Sequence, residues 1–180
     1  MIVAAFTKSS KIGSKLIRWG LSERVSHFEI ELDDRIVFHS HFTGTGIAWL
    51  AERRDVRESV LEIQFNMTPE CEEVVYEELI KLREMSYDYG AFCYFTWRVL
   101  LWKILGRQMP TSNRWASDKA YLCTEVSGAL RAASKRIKVL YGLDVLTPFQ
   151  SLPTDLSMIS AYKLWTLLEG HITKEDKDDP

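Results

Sequence analysis

Two short strings carry the side chains best suited to chemistry. Ser26-His27-Phe28-Glu29-Ile30 lies near the start, and Tyr121-Leu122-Cys123-Thr124-Glu125 lies in the second half. A thiolate is the nucleophile of cysteine chemistry and needs a base beside it. An imidazole oriented by a second polar group is that base. His27 and Cys123 together therefore point to a cysteine hydrolase or acyltransferase, provided the fold brings them into contact.

Alternation through Phe28, Ile30 and Leu32 predicts a strand at 26–32 and a returning strand at 35–41. Phe28, Ile30 and Leu32 share a face, as do Ile36 and Phe38. Matching these apolar residues pairs Phe28 with Phe38 and Ile30 with Ile36. That register sets His27 directly opposite His39, Glu29 opposite Val37 and Glu31 opposite Arg35, with Cβ atoms of opposed residues about 4.5–5.5 Å apart. The connection would be Leu32-Asp33-Asp34, a three-residue loop or bulged turn. His41 shares the face of His39 and competes for the role of orienting His27. The plainer alternative is a set of half-exposed strand histidines making ordinary hydrogen bonds.

Leu122, Val126, Ala129, Leu130, Ala133 and Ile137 recur at helical spacing. Ser117 or Asp118 is the expected cap of this helix, which runs to about Arg136. Cys123 falls near its start, where free N–H groups and the helix dipole favour a thiolate. The competing reading of a free cysteine is a small buried hydrophobe, and Cys71 and Cys93 are read that way.

The remaining elements frame these two. Residues 2–6 predict a first strand. Ser9 or Ser10 can cap a helix to about Gly20, with Ile12, Leu16, Ile17 and Leu21 on one side. Ser59 to Phe65 alternates as a strand. Thr68-Pro69-Glu70 opens a helix to about Met85. Another helix spans roughly 90–105 and ends at Gly106. It is apolar almost all round, which predicts a buried central helix, with an interfacial or acyl-binding role as the alternative. The mixture is α+β, with an antiparallel sheet packed against helices.

The 180 residues, 46% hydrophobic and 27% charged, fit one globular domain over 1–173 with a frayed charged tail at 174–180. A net charge of −2 gives no general pull toward nucleic acid. Three cysteines without CxxC spacing predict neither a disulfide framework nor a zinc ribbon. Neither a signal peptide nor a membrane span is read, since the apolar stretch from Ala91 to Leu105 is short and carries Arg98 and Lys103. The expected location is the cytoplasm, or a phage protein released by lysis or carried in a virion.

A strand Ser-His, a polar residue at the end of the next strand and a late Cys-Thr-Glu opening a helix resemble the permuted NlpC/P60 superfamily. This circularly permuted papain-like group includes YiiX-like hydrolases and lecithin:retinol acyltransferase-like enzymes. In it the histidine precedes the cysteine, as here. The twelve-residue step from His27 to His39 resembles the acyltransferase-like branch. Tyr121-Leu122-Cys123-Thr124-Glu125, Tyr87-Asp88-Tyr89-Gly90-Ala91, Leu146-Thr147-Pro148 and Leu152-Pro153-Thr154-Asp155-Leu156 resemble the YiiX-like branch. The resemblance covers residues 1–157. It lacks the group's opening Gly-Asp-Ile/Leu, and Thr124 replaces the commoner serine.

The resemblance implies a circularly permuted papain-like fold, Cys123 as nucleophile, His27 as base and His39 as the orienting residue. His41, Tyr121, Thr124 and Glu125 are then flanking binding positions. The implied substrate is a peptide or other amide, cell-wall peptide included, or a lipid ester, with no cofactor. Two other functions compete: a catalytically inactive binding or virion domain, and a metal site built from His27, His39, His41 and Cys123, which lacks a compact ligand motif.

Overall fold

The computed structural model describes residues 1–32, 35–41, 43–54, 57–117 and 119–178, without the side chains of residues 13, 54 and 171–178. Its centre is a five-stranded antiparallel sheet ordered β4-β3-β2-β1-β5. The strands are β1 (Ile2–Lys8), β2 (His27–Glu31), β3 (Ile36–His41), β4 (Gly44–Trp49) and β5 (Glu58–Phe65). The architecture is α+β, as the alternating and helical periods predicted. Strand β4 and the short helix α2 (Leu50–Arg54) were not anticipated.

Helix α1 (Ile12–Leu21) crosses from β1 to β2. Its cap position is Lys11, with no side-chain cap, rather than Ser9 or Ser10. Helix α3 (Pro69–Ile80) has Thr68 at its cap position and Pro69 in its first turn, and it stops at Ile80, short of the expected Met85. Strand β6 (Ser86–Tyr87) leads into helix α4 (Tyr89–Leu105). Asp88 caps α4 by accepting the Ala91 N–H at 2.7 Å, and Gly106 ends it in the left-handed conformation.

Strand β7 (Ala120–Tyr121) pairs in parallel with β6. A 3₁₀ turn at Thr124–Val126 then opens helix α5 (Ser127–Tyr141), which ends at Gly142. The expected start at Ser117 or Asp118 is displaced toward Cys123, because the chain forms β7 first. Asp118 lies outside the described residues, as do Asp33 and Asp34 of the expected hairpin loop. Helix α6 (Thr147–Gln150) and helix α7 (Ala161–Asp178) complete the chain. Of the charged segment expected to fray, residues 174–178 fall within the last turns of α7, and 179–180 lie outside the described residues.

One core gathers the apolar face of the sheet and three helices. Phe6, Phe28, Ile30 and Phe38 meet Val75 and Leu79 of α3, Leu130 and Ile137 of α5, and Leu164 and Leu168 of α7, all essentially inaccessible. The apolar face predicted for the hairpin is thus the inner face of the sheet. Cys71 is buried there, as expected, whereas Cys93 is exposed on α4, against expectation.

Helix α4 also departs from the buried role read from its composition. Among its residues Ala91 and Val99 are buried, while Trp97, Leu100, Trp102, Ile104 and Leu105 are exposed. Helices α3, α5 and α7 already cover the apolar sheet face, so α4 lies outside that stack and packs beside α1. The stripe expected on α1 is split: Ile12 and Leu16 are exposed, while Ile17 and Leu21 turn inward.

Candidate active site

The polar face of β2 and β3 carries the candidate base. The register is Glu29 to His39, Ile30 to Phe38 and Glu31 to Val37, with the Leu32 N–H donating to the Ile36 carbonyl at 3.0 Å. The strands are therefore shifted by two residues from the predicted pairing. A shift of two keeps every side chain on its expected face but changes its partner. His39 stands across from Glu29 rather than His27, and the position facing His27 falls to His41. The His27 and His41 rings lie edge to face at 6.5 Å, and the His39 and His41 rings lie 6.5 Å apart.

The group beside His27 is Glu29, two residues along the same strand face. His27 Nε2 lies 3.2 Å from Glu29 Oε1, at ion-pair distance but without hydrogen-bond alignment. Glu29 Oε1 also receives the Arg53 guanidinium and lies 3.3 Å from Arg57 Nη1. Burial alone would raise the Glu29 pKa; His27, Arg57 and Arg53 outweigh it and hold the carboxyl well below its ordinary range. Burial does the opposite to the imidazoles. It lowers His27 to about 3, reinforced by the Arg57 charge and opposed by Glu29. It lowers His39 and His41 to about 4, with the arginines adding to the effect.

Cys123 occupies the residue before the 3₁₀ turn, so it stands at the N-terminal end of the turn and α5. Its segment is fixed from several sides. Ser40 Oγ on β3 donates to the Tyr121 carbonyl at 2.9 Å, Glu125 Oε2 accepts the Leu122 N–H at 2.7 Å, and Thr124 Oγ1 donates to the Leu156 carbonyl at 3.2 Å. Burial pushes the Cys123 thiol pKa up, while the Phe28 N–H, the Arg57 charge and the Thr124 N–H favour the thiolate. The Phe28 amide follows His27 directly, so the sulfur lies against the backbone of the strand that carries the imidazole.

His27, His41, Arg57, Cys123 and Thr124 line one cavity of about 120 Å³. Ile17, Leu21, Phe92 and Phe95 form an apolar wall in the same cavity. His27 and Cys123, nearly a hundred residues apart in sequence, thus share a site with His41 and Thr124. His39 does not line the cavity, and its Nδ1 is buried without a hydrogen-bond partner. Tyr121 and Glu125 line a separate depression with Asn113 and Asp155. Burial raises the Glu125 pKa to about 7 there, opposed by the Leu122 N–H and reinforced by Asp88 and Asp155.

Sequence reasoning did not assign Glu29, Arg53 and Arg57 to the site. Glu29 had a legible signal, since residues i and i+2 of a strand share a face. The arginines had none, because a helix and loop far along the chain deliver them. Among the described residues, no group of three or more His, Cys, Asp or Glu side chains could hold a metal ion. No helix among them is long and apolar enough to cross a membrane. No protein-family model, curated protein or solved structure matches this chain.

Proposed function

We propose that this chain is a cysteine-dependent hydrolase of the circularly permuted papain-like kind, acting on an amide or peptide bond through an acyl-enzyme on Cys123. The observation that carries the reading is the shared cavity of Cys123 and His27, with Glu29 behind the imidazole. The order of the elements supports it too: the histidine strand comes first, and the cysteine opens a later helix.

The raised thiol and lowered imidazole pKa values favour a neutral resting pair over a thiolate–imidazolium pair. His27 then acts as a general base. As Sγ attacks the carbonyl carbon, the thiol proton passes to the imidazole and the carbonyl π electrons move to oxygen. The Cys123 N–H is available to the developing oxyanion. Collapse of the tetrahedral intermediate breaks the bond to the leaving nitrogen, which takes the proton from His27. Water, deprotonated by His27, cleaves the thioester and restores the thiol. Glu29, at ion-pair distance from Nε2, stabilises the ring's transient positive charge, leaving Nδ1 for the sulfur. In this reading Glu29 takes the orienting role first expected of His39.

A second reading, a lipid ester or acyl group as substrate, is favoured by the apolar wall of Ile17, Leu21, Phe92 and Phe95. Both readings meet the same test. The protein is incubated with peptidoglycan fragments, peptides and lipid esters, and intact mass and peptide mapping follow. An acyl adduct on Cys123, absent in folded Cys123→Ala together with its turnover, is expected. Undiminished turnover in folded Cys123→Ala overturns the role of Cys123, and no adduct and no turnover across all three substrate classes overturns the proposal in favour of a binding or virion domain.

A further inference from the structure

We infer that the outer face of α1 and α4 is a docking surface for an anionic membrane interface. Ile12, Leu16 and Trp19 recur on one side of α1, with Ile12 77% and Trp19 64% exposed. On α4, Trp102 and Leu105, which flank the side that meets α1, stand 44% and 59% exposed. The two sets adjoin. Lys103 Nζ sits 4.5 Å over the Trp19 ring and donates to the Trp19 carbonyl at 2.5 Å. A Cβ at Gly20 would lie 3.2 Å from Val99 Cγ1, so the helices pack closely. Exposed aromatic and aliphatic side chains thus border the α1–α4 contact from both helices, and a cluster of this kind marks an interaction site.

Charge selects the occupant. The chain as a whole carries −2, yet α1 with its cap residue and α4 hold Lys11, Lys15, Arg18, Arg98 and Lys103 and not one Asp or Glu. The apolar face therefore lies in the basic part of an otherwise strongly acidic molecule. An anionic lipid surface answers both properties: indole and aliphatic groups enter the headgroup boundary while Lys and Arg stems reach back to the phosphates. A second copy fits poorly, because a two-fold contact would set this basic face against itself. The inner sides of the same helices, Ile17 and Leu21, Phe92 and Phe95, wall the Cys123 cavity, so a docked bilayer lies next to that cavity. The inference holds whether or not Cys123 is a nucleophile.

The test is cosedimentation of the full chain with vesicles of phosphatidylcholine alone or containing phosphatidylglycerol, with tryptophan emission as a second readout. Binding to the anionic vesicles is expected, with a blue shift and at least tenfold weakening between low and high salt. The double variant Ile104→Asp, Leu105→Asp should weaken it at least tenfold at an unchanged melting temperature, because both side chains are exposed. Leu16→Asp provides an independent variant on the other helix, and Cys123→Ala should bind as the parent does. No binding to anionic vesicles, or binding indifferent to these face variants, overturns the inference. Concentration-dependent self-association abolished by the double variant, without vesicle binding, assigns the face to a second copy instead.

Discussion

The imidazole of His27 lies beside a buried carboxylate that two partly buried guanidiniums also claim. Replacing Glu29 by Gln keeps the shape and removes the charge that Arg53 and Arg57 neutralise. Turnover should fall by about 10²–10⁴-fold, and urea denaturation should show a loss of about 3–5 kcal/mol, the cost of orphaning buried charges. The sulfur yields a separate expectation. With its pKa raised above the ordinary thiol value of 9.0, iodoacetamide should modify Cys123 ever faster up to and beyond pH 9. A plateau below pH 7 would instead reveal a preformed ion pair. His27 and Cys123 were legible as types in context. Glu29 was legible from its i+2 spacing on the strand of His27; the cross-strand partners were not, because Phe38 can face Phe28 or Ile30 without exposing an apolar group, so hydrophobic matching does not choose between these registers.

At the scale of elements, Asp88 joins the two halves of the cysteine side. Oδ1 accepts the Ala91 N–H at 2.7 Å and caps α4, while Oδ2 accepts the Ser117 N–H at 2.7 Å. Asp88→Ala should cost about 2 kcal/mol, one cap plus one buried amide left without a partner, read from thermal denaturation. The capping character of Ser117 suggested a helix start there; its amide is instead engaged by Asp88, and the helix begins after Cys123. Strands β2, β3 and β5 were legible from alternation, and β1 from a short continuous apolar run. Helix α4 was legible as a helix but not in its surroundings. An all-round apolar composition says that a helix avoids water, not which surface will shield it, and here three other helices occupy the sheet.

Over the whole molecule, buried titrating groups make stability depend on pH. His27, His39 and His41 have folded pKa values lowered from 6.5 to about 3, 4 and 4. The unfolded chain takes up their protons first, so their contribution is complete above pH 6.5 and is lost as pH falls toward 4. Glu125, raised from 4.5 to about 7, and Glu23, raised by burial, act in the opposite direction. Their contribution is complete below pH 4.5 and is lost as pH rises through their folded values. Three imidazoles outweigh two carboxyls, so the urea midpoint should be lower at pH 5 than at pH 7.5, and Glu125→Gln should steepen that fall. A higher midpoint at pH 5 would refute this balance. Net charge gave no hint of such dependence, because it weighs every ionisable group equally whatever its burial.

The two halves of the site are anchored very unequally. Strand β2 has β1 on one side and β3 on the other, whereas the Cys123 segment hangs on the two-residue ladder of β6 and β7 and a few side-chain bonds. Solvent deuterium should therefore reach the backbone amides of 120–123 through small local openings, while those of 28–30 wait for global unfolding. Heating would then loosen the thiol arm while the histidine strand is still intact, and under the proposed function turnover would disappear before the bulk of the secondary structure does.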